Sequence, residues 1–108
     1  MRISVRLQGR TATAALAGEF DLTAAKEVRQ ELDRLIDGGH RRLIIDLRKV
    51  PFLDSSGLGV LLGRYGRLRE LGGEMFLVGA QPPVRTVLQM SGVPKVVPVL
   101  RSESEVPL

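Results

Sequence analysis

The sequence contains no cysteine, no tryptophan, one tyrosine, three phenylalanines and a single histidine. Without cysteine the chain forms no disulfide bond and offers no thiolate ligand to a metal ion. So few aromatic side chains do not make a stacking platform for single-stranded nucleic acid. No apolar run approaches the ~20 residues that a membrane-spanning helix needs, and the N-terminus does not resemble a signal peptide. We therefore expect a soluble, cytoplasmic protein that does not contact a membrane.

Length and charge indicate an ordinary globular domain. The 108 residues suit one domain with one core, and 44% apolar and 26% charged residues are typical of such domains. The formal net charge of +4 is in the basic range of many nucleic-acid binders. The cations are, however, spread along the chain without forming one basic stripe. We therefore expect an arginine-rich, solvated surface and no direct contact with nucleic acid.

The spacing of apolar residues changes along the chain between the period of strands and that of helices. Alternation predicts strands at 3–7 and 11–17, which a tight turn joins as an antiparallel hairpin. Recurrence at three and four positions predicts a helix over 22–37, which Gly38-Gly39 ends. The rest of the pattern predicts strands at 42–47, 74–79 and 95–100 and helices at 58–71 and 82–91.

The resulting order, β-β-α-β-α-β-α-β, predicts an α/β domain. We expect a four- to five-stranded mixed sheet, largely parallel, with helices packed against it and right-handed crossovers. Pro98 has no N–H to donate, so the last strand is expected at an edge of the sheet. The domain is expected to span residues 1–101, and 102–108 are expected to form a short, frayed polar tail.

The stretch FLDSSGLGVLLG, residues 52–63, joins a central strand to the next helix. In open α/β sheets this end of the strands is where ligands and partners bind. The first turn of a helix leaves N–H groups unpaired, and its dipole favours an anion. A serine at this junction can therefore cap the helix, act as a nucleophile or accept a phosphoryl group.

The residues around these serines do not support catalysis. An esterase elbow needs Gly-x-Ser-x-Gly and a histidine base, whereas the only histidine, His40, is expected in a solvent-facing turn at the other end of the sheet. Gly57-Leu58-Gly59 lacks the lysine of a phosphate-binding loop. Asp21 and Asp54 are expected at the same rim, but no histidine or cysteine accompanies them. We therefore expect no catalytic residue, no cofactor and no metal.

Four glycines fall on the second predicted helix, where each costs about 1 kcal/mol relative to alanine. These are Gly57, Gly59, Gly63 and Gly66. They indicate either close packing of the helix on a strand or a flat backbone onto which another protein presses. Asp46, inside a strand, is expected to be structural.

An ordered set of short motifs covers nearly the whole chain: Gly18-Glu19-Phe20-Asp21, Asp46-Leu47, Phe52-Leu53-Asp54-Ser55-Ser56-Gly57-Leu58-Gly59, Gly72-Gly73 and Met90-Ser91-Gly92. Together these motifs resemble the STAS domain, in particular the bacterial anti-anti-sigma factors (anti-sigma factor antagonists). Family members often continue into a C-terminal helix, for which only about eight residues remain after Leu100. We therefore expect this helix to be short or missing, and the contacts that it makes in other family members to be reduced.

The resemblance implies a partner switch and not an enzyme. In such systems the unphosphorylated antagonist binds an anti-sigma factor that is also a serine kinase, and the sigma factor is released. The kinase then phosphorylates the antagonist, and a metal-dependent serine phosphatase reverses this. The phosphorylated residue carries over to Ser55, with Ser56 as the alternative. The implied partner-binding residues are Asp21, Asp54, Ser55, Ser56, Gly57, Leu58 and Gly59. A second hypothesis is a STAS scaffold or regulatory module within a larger signalling complex.

Overall fold

Five strands form one sheet whose spatial order, β1-β2-β3-β4-β5, follows the order in the chain. The structure, a computed structural model, describes all residues from 1 to 108. Its elements are β1 (Arg2–Gln8), β2 (Thr11–Ala17), α1 (Leu22–Asp37), β3 (Arg42–Lys49), α2 (Ser55–Glu70), β4 (Glu74–Val78), α3 (Pro82–Met90) and β5 (Val99–Leu100). The predicted element order is confirmed.

The pairing of the strands gives a mixed sheet, as predicted. β1 and β2 form the antiparallel hairpin, whereas β2, β3, β4 and β5 are mutually parallel. In the parallel part, Leu43 pairs with Ala12 on one side and with Met75 on the other. Because these strands run in the same direction, their carboxyl ends, and the loops that lead into the helices, meet at one edge of the sheet.

The main core lies between one face of the sheet and the helices. Alternate strand residues such as Leu43 and Ile45 point to this face and are fully buried. They pack in one cluster with apolar residues of all three helices, among them Val28, Leu61 and Leu88. This packing fixes how the start of each helix lies relative to the carboxyl ends of the strands.

The opposite face of the sheet carries a smaller apolar cluster of Ile44, Phe76 and Val78. Val106 and Leu100 pack against this cluster. The prediction of a frayed tail at 102–108 is therefore wrong. Because Val106 has apolar surface to bury there, the tail folds back as a short 3₁₀ turn and lies along the sheet, where Glu103 forms an ion pair with Arg6.

The prediction of a strand over 95–100 is also wrong in its bounds, since only Val99–Leu100 pairs with β4. Val93–Lys95 forms a 3₁₀ turn, in which the N–H groups of Val96 and Val97 donate to the carbonyl of Val93. Val97 is buried in the main core. The apolar run therefore fills the core from a turn and does not extend the sheet. β5 is an edge strand, as predicted, but it begins directly after Pro98 and does not contain it.

None of the helices is long and apolar enough to cross a membrane. His40 lies between α1 and β3, at the end of the sheet away from Ser55, as predicted. It is half-buried, however, and not solvent-facing, because its Nδ1 lies 3.0 Å from the carbonyl oxygen of Leu35 at the end of α1.

Candidate functional site

The loops that lead into α1 and α2 run side by side beyond the sheet. Phe20 and Leu53 form an isolated parallel bridge, and the Phe20 N–H donates to the carbonyl of Phe52 at 2.9 Å. The Asp54 N–H in turn donates to the Phe20 carbonyl at 3.3 Å. Asp21 and Asp54, which directly follow the bridged pair, therefore share one rim of the sheet. This confirms the placement predicted for the two carboxylates.

Both aspartates cap the helix that follows, in almost the same backbone conformation. Asp21 has φ −109° and ψ −169°, and Asp54 has φ −106° and ψ −174°. The Asp54 carboxylate accepts from the N–H groups of Ser56 at 2.9 Å and Gly57 at 3.2 Å. Asp21 accepts in the same way from Thr23 and Ala24. Two helix N-termini therefore begin next to one another, each with a carboxylate in place.

The Asp21 carboxylate has an additional donor. The Thr23 hydroxyl lies 2.6 Å from Asp21 Oδ1. This hydrogen bond is the main cause that lowers the pKa of Asp21, and the N–H of Ala24 contributes in the same direction. Because its pKa is lowered, Asp21 stays charged to a lower pH than an ordinary aspartate does.

Ser55 is the first residue of α2, and its side chain is exposed. The capping bonds of Asp54 go to Ser56 and Gly57, and no hydrogen bond within the chain engages the Ser55 hydroxyl. Of the three roles that the sequence left open for a serine here, helix capping therefore belongs to Asp54. Ser56 is half-buried, and its N–H is already occupied by the cap.

The sequence left two explanations open for the glycines of α2, close packing of the helix and a flat outer backbone, and the structure separates Gly57 from the other three. A Cβ on Gly57 would lie 2.6 Å from Leu53 Cδ1 and 2.7 Å from the carbonyl oxygen of Phe20, so Gly57 permits close packing against the bridged pair. A Cβ on Gly59, Gly63 or Gly66 would meet nothing within 4 Å. These three leave the outer surface of the helix flat. Leu58, between Gly57 and Gly59, is half-buried and packs against the main core.

An open groove of about 430 Å³ lies between the first halves of α1 and α2, beside the serines. Leu22, Ala25, Lys26 and Arg29 line it from α1, and Ser56, Gly59, Val60 and Arg64 line it from α2. Ser56 lines this groove, whereas Ser55 does not.

No three His, Asp or Glu side chains of the chain lie close enough together to hold a metal ion. Asp46 is inside β3, as predicted, where it is buried and its carboxylate accepts from the Arg48 Nε at 2.9 Å. Burial by itself raises the pKa of Asp46, but the hydrogen bonds and the charge of Arg48 outweigh it and lower the pKa overall.

The family model described as "STAS domain" matches residues 2–106. The chain belongs to the STAS domain family. An anti-sigma F factor antagonist of Paenibacillus polymyxa is 39% identical over 89 residues, which cover 82% of this chain and 76% of that protein.

Two solved structures of proteins named SpoIIAA, one unphosphorylated and one phosphorylated, have this fold. The anti-sigma factor antagonist SpoIIAA in its unphosphorylated form has a TM-score of 0.83 at 30% identity, over 96% of this chain and 91% of that one. The Bacillus cell fate determinant SpoIIAA in its phosphorylated form has a TM-score of 0.76 at 28% identity, over 96% of this chain and 95% of that one. The relatives of this STAS domain are therefore regulatory binding proteins, and SpoIIAA has this fold in its phosphorylated form.

The rim of this STAS domain also carries residues that sequence reasoning missed. Leu22 is 73% exposed directly after Asp21, and Phe52 is 47% exposed directly before the bridged Leu53. Single exposed apolar side chains are common on folded proteins, so what distinguishes these two is their place beside the capping aspartates. The signal available in the sequence was their position: each lies within two residues of a capping aspartate.

Proposed function

We propose that this STAS domain is an anti-sigma factor antagonist whose affinity for an anti-sigma factor is set by phosphorylation of Ser55. The unphosphorylated form binds an anti-sigma factor that is also a serine kinase, and the sigma factor is released. Phosphorylation by the kinase dissolves the complex, and a metal-dependent serine phosphatase restores the binding form. The observation that carries this proposal is an exposed serine hydroxyl, free of hydrogen bonds, at the start of a helix on the rim of the sheet.

The position of Ser55 favours phosphorylation without unfolding. A phosphate at the first residue of a helix faces the positive end of the helix dipole, which stabilises an anion. The Asp54 carboxylate caps the helix through the N–H groups of Ser56 and Gly57, so a phosphate on Ser55 does not compete with these hydrogen bonds. Ser56 is the less suitable acceptor, because its side chain is half-buried.

The same phosphate disfavours a complex for electrostatic reasons. It adds a charge of roughly −1.5 to −2 to a rim that already carries Asp21 and Asp54. Buried against a partner without a compensating cation, that charge costs several kcal/mol. Since about 1.4 kcal/mol is a factor of ten in affinity, the loss amounts to about a hundredfold or more.

In this reaction the chain supplies only the nucleophilic hydroxyl. Ser55 Oγ forms a bond to the γ-phosphorus of ATP, the bond to the ADP oxygen breaks, and the hydroxyl proton passes to a base. Such transfer depends on positioning, magnesium and a catalytic base. We assign all three to the kinase, because the carboxylate next to Ser55, Asp54, is engaged in capping.

The proposal is tested with variants of Ser55 and the purified serine-kinase anti-sigma factors of the same genome. Ser55→Ala is expected to bind the kinase but resist phosphorylation, and Ser55→Asp is expected to bind poorly. Ser104→Asp, a matched change at an exposed serine of the tail, is expected to bind as the parent does. Mass spectrometry that maps the phosphate to a residue other than Ser55 or Ser56 contradicts the proposal.

A further inference from the structure

The groove between α1 and α2 is built from two helical stripes that face one another. On α1 the lining residues stand at positions 22, 25, 26 and 29, the spacing of one helix face. On α2 the facing residues include Ser56, Gly59 and Val60. The groove is open because Ala25 and Gly59 are small, and a Cβ on Gly59 would meet nothing within 4 Å.

The groove is also positively charged, because its exposed cations have no partner in the chain. Lys26 and Arg29 are exposed, and neither forms an ion pair with a carboxylate of the structure. Cations farther along these helices are paired: Arg34 with Glu31, and Arg64 and Arg67 with Asp33. The acids Glu27 and Glu31 line a separate depression on the other side of α1, so they do not neutralise the groove.

We propose that this groove receives an acidic segment of the anti-sigma factor, an inference that rests on the function proposed above. Carboxylates of that segment face Lys26 and Arg29, and an apolar side chain of it lies on Leu22, which is 73% exposed in the free chain. The two cations stand about one helical turn apart on an open surface, a distance that carboxylates on neighbouring side chains of a peptide can span. Charge complementarity of this kind fixes the register of two partners and speeds their encounter.

The bound partner consequently meets two surfaces of opposite sign. The rim around Ser55 carries the carboxylates of Asp21 and Asp54, and the groove beside it carries Lys26 and Arg29. A phosphate on Ser55 adds negative charge where the rim is already negative, whereas Ser55 itself does not line the groove. Phosphorylation therefore acts mainly on the contact at the rim, and the groove contributes to affinity and orientation in both states.

Zero-length crosslinking locates the acidic segment directly. A carbodiimide joins a lysine amine to a carboxylate as an amide, and the chain has three lysines, Lys26, Lys49 and Lys95. In the complex with a serine-kinase anti-sigma factor of the same genome, we expect a crosslink between Lys26 and an Asp or Glu of the partner. Lys95 precedes β5 at the opposite end of the sheet and is expected to remain unlinked. Crosslinks at Lys49 or Lys95 without one at Lys26 overturn the inference.

Charge reversal measures what the groove contributes to affinity. The double variant Lys26→Glu, Arg29→Glu is expected to bind the anti-sigma factor about tenfold more weakly or worse, because it opposes like charges. Arg10→Glu, Lys95→Glu makes the same change in net charge at the other end of the sheet and is expected to bind as the parent does. If both double variants lose affinity for the anti-sigma factor equally, or if neither loses affinity, the inference is wrong.

The two proposals fail in different ways. If the parent chain binds no serine-kinase anti-sigma factor, the proposed function fails and the inference with it. If the parent binds and Ser55→Asp abolishes binding, but reversal of Lys26 and Arg29 has no effect, only the inference about the groove fails. Circular dichroism of each variant shows whether it is folded before its affinity is compared.

Discussion

Phe20 and Leu53 form a parallel bridge beyond the end of β2 and β3, and this pairing brings two helix starts together at one rim. Phe20 and Leu53 are each followed directly by an aspartate that caps the next helix. Gly57 packs against both bridged residues, so the first turn of α2 rests on the bridge. The exposed position of Ser55 is therefore a consequence of backbone pairing and close packing beneath it.

Replacing Gly57 by alanine is expected to destabilise the domain. Its Cβ would lie 2.7 Å from the Phe20 carbonyl oxygen, a backbone atom that cannot move without disturbing the bridge. Overpacking of this kind costs about 1–3 kcal/mol, which urea denaturation measures as a lower midpoint. Gly66→Ala on the same helix, where the Cβ meets nothing, is the control and is expected to stabilise by about 0.5–1 kcal/mol. Equal effects at both positions are inconsistent with the packing described.

Removal of the cap and removal of the Ser55 hydroxyl are expected to have different effects on stability. Asp54→Ala leaves the N–H groups of Ser56 and Gly57 without their acceptor and is expected to cost about 1 kcal/mol. Ser55→Ala removes a hydroxyl that makes no hydrogen bond and is expected to change stability by less than about 0.5 kcal/mol. Thermal or urea unfolding compares the two. A larger loss from Ser55→Ala than from Asp54→Ala indicates that the serine is the cap.

Stability is expected to fall in acid through Asp21 and Asp46, whose pKa values are both lowered in the folded chain. A carboxylate with a lowered pKa contributes its stabilisation fully above its unfolded pKa, about 3.9, and loses it as the pH falls through the folded pKa. Asp46→Asn is therefore expected to be less stable at neutral pH and to lose less stability below about pH 4. Urea unfolding across this range makes the comparison, and parallel pH profiles for parent and variant refute the assignment.

Filling the groove is expected to weaken partner binding without weakening the fold. Gly59→Gln places a side chain between the two helical stripes and replaces glycine with a better helix former. We expect lower affinity for the anti-sigma factor together with an unchanged or higher unfolding temperature. Gly66→Gln, equally open but outside the groove, is the matched control, and calorimetry that gives both variants the same affinity contradicts a role for the groove.

The features that follow from local sequence were predictable. The helix over 22–37 carries its own cap, apolar stripe and terminal glycines, so its bounds match the structure, and those of the two hairpin strands agree to within one residue. The start of α2 was predicted at Leu58 and lies at Ser55, because the Asp54 carboxylate accepts from the N–H groups of Ser56 and Gly57 and so caps the helix earlier.

The features that depend on contacts between distant parts of the chain were not predictable from the sequence. Val96 and Val97 look like strand residues, yet their N–H groups bond to Val93 and the side chain of Val97 enters the core. The groove arises from how α1 and α2 pack, and Arg64 reaches Asp33 on the other helix, a pairing with no local signal. The sequence identifies the residues near Ser55, but only the fold shows that Lys26 and Arg29 lie beside them.

The most direct test of this account compares two affinities for one anti-sigma factor, that of the unphosphorylated chain and that of the chain phosphorylated on Ser55. Isothermal calorimetry measures both, and amide spectra by NMR report whether the fold is the same in the two forms. We expect an affinity lower by about a hundredfold or more for the phosphorylated chain, with spectral changes confined to the rim around Ser55. Equal affinities, or a phosphorylated chain that has lost its fold, contradict a switch by local charge.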